Sequence, residues 1–163
     1  MSFSDNLPLK SVTSLKWVEA VKKNFSFFLQ DHAACERKAS ATAMSFIIKF
    51  PDRTALIEPM IALAKEELEH FQDVYRKMTK KQIPLAEKDV KDVYVNSILK
   101  QLRHGRDERF LDKLITFALV EARGYERFNL ISKHLDDKEW SVLNSSSGGA
   151  RGGGYRVSNA SMH

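Results

Sequence analysis

The sequence contains few of the residues that interrupt helices or cross-link a chain. Its 163 residues include 4 prolines and 7 glycines, and five of those glycines lie between Gly148 and Gly154. A single cysteine, Cys35, excludes an internal disulfide and favours a reducing compartment. No apolar run approaches the ~20 residues of a membrane span, and residues 1–13 lack the apolar core of a signal peptide. These absences predict a helical, cytoplasmic protein with no membrane segment.

The remaining composition is typical of a globular helical domain. Hydrophobic residues make up 43% and charged residues 29%, and the formal net charge is +5. This mildly basic balance is compatible with an anionic partner, although a solvated lysine-rich surface explains it equally well. Apolar residues recur at helical spacing in four segments, about 14–50, 52–81, 89–103 and 107–134.

These patterns divide the chain into three parts. Residues 1–13 are expected to be an irregular leader, and residues 14–139 a single all-α domain. Residues 140–163 contain no Lys, Asp or Glu and are dominated by Ser and Gly, so we expect a disordered tail.

Glu67 and His70 form a Glu-x-x-His pair, which places two metal-binding side chains on one face of a helix. Taken alone, such a pair is more often a solvated surface feature. Here both residues lie within the apolar stripe of their helix, whereas Glu66 and Glu69 point more to its side. A carboxylate that faces a core is costly unless a cation or hydrogen bonds compensate its charge.

The preceding helix has the same anomaly at Glu36, which lies in the apolar stripe with His32 one turn earlier. Glu36 comes 15 residues before Pro51, and Glu67 comes 16 residues after it. At ~1.5 Å rise per residue, each lies about 23 Å from the turn. An antiparallel pair of helices would therefore place both carboxylates and the histidine at one level, where they suit a hard or borderline metal ion.

A later helix repeats part of this pattern, because DHAACER at 31–37 is similar to EARGYER at 121–127 and the alignment pairs Glu36 with Glu126. Four-helix di-iron carboxylate proteins use one Glu from each of two helices and Glu-x-x-His from each of the other two. Glu36 and Glu126 would be the single carboxylates. Glu121 is an alternative to Glu126 as the ligand of this helix. Five residues turn about 140° around a helix, so the two side chains cannot both point inward equally. The alignment favours Glu126. The residues expected to support the ligands are Glu121, His32 and Asp31.

The fourth helix of such a site should follow LDD at 135–137 and carry its Glu-x-x-His near residue 147. The sequence there consists of Ser and Gly, and no Glu or His occurs between Trp140 and His163. The spacing therefore predicts an incomplete metal site.

Three segments, DHAACERKASATAMSFIIKFPDR, ALAKEELEHFQDVYRKM and ALVEARGYERFNLI, together resemble the tRNA 2-methylthio-isopentenyl-adenosine hydroxylases (MiaE-type) over about residues 15–139. The resemblance implies a ferritin-like four-helix-bundle type of fold and a non-haem di-iron centre. It also implies O2-dependent hydroxylation of the isopentenyl group of a hypermodified adenosine in tRNA. The implied iron ligands are Glu36, Glu67, His70 and Glu126.

The sequence departs from this family after LDD, where the family continues into a helix that bears Glu-Ala-Arg-His. We therefore expect a bundle without its last core helix and fewer than two irons per chain, and the activity of the chain as written stays open. The tail has the composition that a frameshift or a truncation would leave.

The resemblance implies tRNA and O2 as partners. An external electron donor is also expected, because the sequence has no flavin or nicotinamide fingerprint. Whether the chain is a monomer or a dimer is left open. Basic clusters supply the candidate RNA contacts, although helix-end cations explain them equally well: Lys77, Lys80, Lys81, Arg103 and Arg106. The alternative functions are a rubrerythrin-like redox protein, a ferritin-like metal-binding domain and an inactive RNA-binding remnant.

Overall fold

The computed structural model describes residues 9–88 and 92–135, and no strand occurs in these two ranges, as the predicted all-α class requires. Contacts divide the chain into two compact units, one with residues 9–23 and 92–135 and the other with residues 24–88. The α-helices of these ranges are α1 (Leu15–Lys23), α2 (Phe25–Lys49), α3 (Ile57–Lys80), α4 (Val93–Leu99) and α5 (Arg106–Ser132). A short 3-10 helix at Thr54–Leu56 precedes α3.

Residues 24–88 form an antiparallel hairpin of α2 and α3. The hydroxyl of Ser40 donates a 2.7 Å hydrogen bond to the carbonyl of Ala64, and the side chain of Gln30 donates one of 2.8 Å to the carbonyl of Pro84 at the end away from the turn. Small buried side chains on both helices allow their backbones to approach closely. The core of this unit consists of Leu29, Ala33, Ala34, Ala43, Phe46, Phe50, Met60, Ala64, Val74 and Met78.

The turn between α2 and α3 is built from successive backbone hydrogen bonds. The N–H of Phe50 donates to Phe46, that of Arg53 to Phe50, and that of Leu56 to Arg53. Pro59 is the third residue of α3, where its missing N–H leaves no helical hydrogen bond unmade. Pro59 therefore lies in the first turn of α3, a position that proline tolerates.

The C-terminus of α3 ends in a Schellman motif. The N–H of Ile83 donates to the carbonyl of Met78, and the N–H of Gln82 donates to that of Thr79. Gln82 adopts a left-handed conformation with φ of 57°, which is a position where glycine is usually found because it has no Cβ.

The other unit contains α1, α4 and α5. The carboxylate of Asp92 accepts a 3.0 Å hydrogen bond from the N–H of Val95 and caps α4. Asp112 of α5 accepts hydrogen bonds from both the backbone N–H and the guanidinium of Arg103, which holds the connection between α4 and α5. The buried side chains of this unit are Val18, Val21, Leu102, Thr116, Ala122 and Ile131.

Two of the predicted helices differ from those observed. The continuous helix expected over about 14–50 is wrong, because Asn24 leaves helical geometry (φ −132°, ψ 46°) between α1 and α2. Asparagine favours such breaks, since its side chain competes for backbone hydrogen bonds. The helix expected over about 89–103 is shorter, because Asp92 caps it on one side and it ends at Leu99. The helix predicted over about 107–134 agrees with α5 within two residues at each end. The helix predicted over about 52–81 ends within one residue of α3 but begins about five residues too early, because a turn and the 3-10 helix precede α3.

Several apolar residues that recur at helical spacing are nevertheless exposed. Leu68 is 55% exposed, and Leu111 and Ile115 of α5 are also about half exposed. None of the helices described is long and apolar enough to cross a membrane. The predicted tail, 140–163, and any helix after Leu135 lie outside the described residues.

Replacing Gln82 by glycine is expected to stabilise the protein by about 1 kcal/mol, because glycine adopts the left-handed conformation without strain. The free energy of unfolding from urea denaturation measures the effect. The matched control is Gln72→Gly at an exposed position inside α3, which should lose about 1 kcal/mol. Destabilisation by both substitutions would contradict the strain at Gln82.

Candidate metal centre

Four side chains converge between α2 and α3. Helix α2 contributes His32 and Glu36, which lie one turn apart, and α3 contributes Glu67 and His70, which are spaced by three residues. Both spacings place side chains on one face of a helix. The antiparallel hairpin brings these two faces together, so the predicted juxtaposition of Glu36, Glu67 and His70 is observed.

The distances within this cluster are short. Nδ1 of His70 lies 3.4 Å from Oε2 of Glu67 and 3.6 Å from Oε2 of Glu36. Nδ1 of His32 lies 3.1 Å from Oε1 of Glu36. One ligand atom from each of Glu36, Glu67 and His70 lies within 4.8 Å of the others, which is the spacing of groups that surround one ion.

The two carboxylates are buried: Glu36 is 8% exposed and Glu67 is 5% exposed. Burial raises the pKa of Glu36 to about 8, and the charge of Glu67 adds to that shift. The contacts with Glu36 and Glu67 raise the pKa of His70 to about 10. Burial acts to raise the pKa of Glu67 as well, but its interactions with His70 and Glu36 outweigh burial and lower it.

His32 is kept neutral by its surroundings. Burial lowers its pKa to about 4, and the positive charge of His70 acts in the same direction. At neutral pH the cluster therefore balances its negative charge with protons on Glu36 and His70. A cation can replace those protons, because two buried carboxylates and an imidazole are the donor set of a hard or borderline divalent ion. The residues present therefore fit a metal.

The flanking acidic residues behave as the helical spacing predicts. Glu66 and Glu69 are exposed on the outer side of α3. Asp31, which was predicted to support the ligands together with His32, is exposed on α2. His32 does lie within hydrogen-bond distance of a proposed ligand, Glu36.

Glu126 and Glu121 belong to α5, in the other unit. Glu126 accepts hydrogen bonds of 2.7 Å from both the N–H and the hydroxyl of Thr13, and one of 3.1 Å from Arg123. Burial tends to raise the pKa of Glu126, but these three donors outweigh it and hold the pKa below its usual value. Glu121 is half-buried. The assignment of Glu126 as a ligand, with Glu121 as its competitor, stays a prediction.

The candidate RNA contacts differ in their surroundings. Lys80 and Lys81 are exposed at the C-terminal end of α3, and Arg106 is exposed at the start of α5. Lys77 is half-buried, and burial lowers its pKa. Arg103 forms an ion pair of 2.7 Å with Asp112, so its charge is already partly compensated.

Sequence reasoning missed two contacts that shape these sites. The ring of Phe28 stacks on the imidazole of His32, with 5.9 Å between centroids; the spacing of four residues along α2 was the available signal. The hydrogen bonds from Thr13 to Glu126 had no such signal, because residues 9–13 have no periodic pattern.

An all-α fold with a buried carboxylate–histidine cluster defines this chain as a ferritin-like helical protein with a candidate metal centre. The chain belongs to the family described as tRNA-(MS[2]IO[6]A)-hydroxylase (MiaE), whose sequence model matches residues 4–146. The resemblance carried by the three segments is thereby confirmed.

Two curated relatives bear the name tRNA 2-(methylsulfanyl)-N(6)-isopentenyladenosine(37) hydroxylase. The one from Pseudomonas putida is 35% identical, in a match that covers 75% of this chain and 59% of the relative. The one from Salmonella typhimurium is 28% identical and the match covers 77% of this chain and 64% of the relative. The chain therefore spans less than two thirds of the length of these curated relatives.

A solved structure is also similar. It is described as Protein 43 with aldehyde deformylating oxygenase activity from Synechococcus, and it shares 32% sequence identity with this chain. The match has a TM-score of 0.76 and covers 85% of this chain and 71% of that one. This likeness supports the ferritin-like class of fold.

Thr13→Val is expected to weaken the attachment of the N-terminal segment to α5 by about 1 kcal/mol, because the hydroxyl donor to Glu126 is removed without a change of shape. Hydrogen exchange of the amides near residue 13 measures this. The control is Thr79→Val, whose hydroxyl donates only to Tyr75 within its own helix. Unchanged protection in Thr13→Val would contradict the contact.

Proposed function

We propose that this chain carries the iron-binding part of an O2-dependent hydroxylase that acts on the isopentenyl side chain of a hypermodified adenosine in tRNA. Membership of the family and the names of both curated relatives support this proposal. The observation that carries it is the buried cluster of Glu36, Glu67 and His70, which fits a divalent metal. A cytoplasmic location, where tRNA and reductants are present, belongs to the same proposal.

In this proposal, iron is held by Glu36, Glu67 and Nδ1 of His70, which face one another across the hairpin. Glu126 is proposed as a further ligand on the similarity between 31–37 and 121–127, with Glu121 as the alternative. Because no Glu or His lies between Trp140 and His163, the second Glu-x-x-His of the family has no counterpart in this sequence.

The bound iron would supply the activation of O2 that a hydroxylation of an unactivated C–H bond needs. The contribution of the chain is to hold the ligands and to keep water away from them. Leu29, Ala33 and Val74 are buried along the same two helix faces as the cluster and form an apolar surround. Since one oxygen atom enters the product and the other leaves as water, an external donor must supply two electrons.

The proposed tRNA contact is electrostatic. Lys80 and Lys81 are exposed at the end of α3, at the open end of the hairpin. Exposed lysines attract the phosphate backbone of a nucleic acid, and their contacts make its binding dependent on salt concentration. The net charge of +5 has the sign that this contact requires.

The metal assignment is tested by comparing Glu67→Ala with Glu66→Ala, two neighbouring residues of one type with opposite burial. Glu67→Ala should weaken binding of Fe(II) at least tenfold in anaerobic titration, because a direct ligand is removed. Glu66→Ala should bind as the unaltered protein does. Circular dichroism checks that both variants keep their helices.

Equal effects of the two substitutions would contradict the assignment of Glu67. Metal analysis of the same preparations measures the stoichiometry, which we expect to lie below two irons per chain. Two tightly bound irons per chain would contradict the incomplete second ligand set.

The double substitution Lys80→Glu and Lys81→Glu is expected to weaken tRNA binding. It should also reduce the dependence of log K on log salt, by roughly one unit for each phosphate that the variant no longer neutralises. Filter binding over a series of salt concentrations measures both quantities. The control is Lys49→Glu with Lys65→Glu, which changes the charge equally at exposed positions nearer the hairpin turn. Equally weakened binding in both double variants would indicate a non-specific effect of net charge.

A second candidate function is an oxygenase that acts on an aldehyde, which the named activity of the Synechococcus protein favours. Incubation of the iron-loaded chain with O2, a reductant and either substrate separates the two candidates. Hydroxylated nucleoside from tRNA supports the first function, and deformylated product from an aldehyde supports the second.

A further inference from the structure

We infer that His32 is a positioning residue which makes Glu36 a monodentate ligand through its Oε2 atom. This role rests on the proposed metal centre, and it belongs to a half-buried side chain that the centre does not use as a ligand. It concerns only α2 and α3 and the contacts between them.

The two oxygen atoms of Glu36 have different partners. Oε1 lies 3.1 Å from Nδ1 of His32, on the same helix. Oε2 lies 3.6 Å from Nδ1 of His70, on the side where the ligand atoms of Glu67 and His70 converge. A metal among these three residues would therefore meet Oε2 of Glu36, while Oε1 is turned toward His32.

The direction of the hydrogen bond follows from the chemistry of the ligand. A metal-bound Glu36 is a carboxylate, and a carboxylate only accepts hydrogen bonds, so Nδ1 of His32 must donate to Oε1. That donor competes with the metal for Oε1, the oxygen which a chelating carboxylate would need for a second bond to the metal. His32 thereby favours a single metal bond through Oε2 and restricts rotation of the carboxylate.

His32 is itself held in place from the other side. The ring of Phe28 lies one turn earlier on α2 and stacks on the imidazole with an interplanar angle of 10°. Phe28, His32 and Glu36 follow one another at intervals of four residues, so each contacts the next along one helix face. The stack restricts rotation of the imidazole and therefore aims Nδ1 at Glu36.

The test compares His32→Leu, which removes the donor, with His32→Gln, which keeps an N–H donor within reach of the next turn. Phe28→Leu removes the stack and keeps an apolar side chain. The control is His104→Leu, at an exposed position in the other unit. Anaerobic titration with Co(II) gives the affinity, and the visible absorption of bound Co(II) reports its coordination number.

We expect His32→Leu to bind Co(II) roughly tenfold more weakly, with lower visible absorbance because Oε1 joins the metal and raises its coordination number. His32→Gln should restore most of both signals, and Phe28→Leu should fall between them. His104→Leu should match the unaltered protein.

Unchanged affinity and spectrum in His32→Leu would overturn the inference while leaving the metal centre in place, provided that Glu67→Ala still loses the metal. Failure of His32→Gln to restore the spectrum would also overturn it, because an N–H donor at this position would then not control how Glu36 binds the metal. If neither Glu67→Ala nor His32→Leu alters binding, the proposed centre itself is wrong and the inference falls with it.

Discussion

The close approach of two buried carboxylates, Glu36 and Glu67, is the constraint on which the rest of the hairpin depends. In a medium of low dielectric, their mutual repulsion and the loss of hydration both oppose burial. The imidazole of His70 offsets part of this cost, because it lies within 3.6 Å of both carboxylates. A divalent cation would offset more of it, and it would explain why the sequence places acidic groups inside apolar stripes.

The packing of α2 against α3 holds the carboxylates of Glu36 and Glu67 close together. Ser40 donates to the carbonyl of Ala64 one turn away from Glu36 and Glu67, so the register of the two helices is set beside the cluster. The small side chains of Ala33 and Ala64 are also buried, each about one turn from the carboxylate of its own helix, Glu36 and Glu67 respectively. A larger residue at either position would separate the helices and move the carboxylates apart, because close-packed interiors transmit such strain.

The meeting of Glu36 and Glu67 could be predicted because it depends only on helical periodicity and on the number of residues between each carboxylate and the turn. Counting residues from Pro51 was enough to place Glu36 and Glu67 at one height, and helical spacing separated Glu67 from the exposed Glu66. The break at Asn24 depends on the backbone conformation of one residue. A periodic pattern of apolar residues over many positions does not reveal such a local break. The exposure of Leu68 depends on what covers its helix face, and the pattern of one helix does not contain that information.

The most direct test of the account is the position of the metal in a crystal loaded with Fe(II) or Co(II). Anomalous diffraction at the absorption edge of the metal would locate it. The account predicts a peak between α2 and α3, roughly 2.0–2.2 Å from Oε2 of Glu36, a carboxylate oxygen of Glu67 and Nδ1 of His70. A fully loaded crystal with its peak elsewhere, or with Glu36 and Glu67 still paired only with histidines, would contradict it.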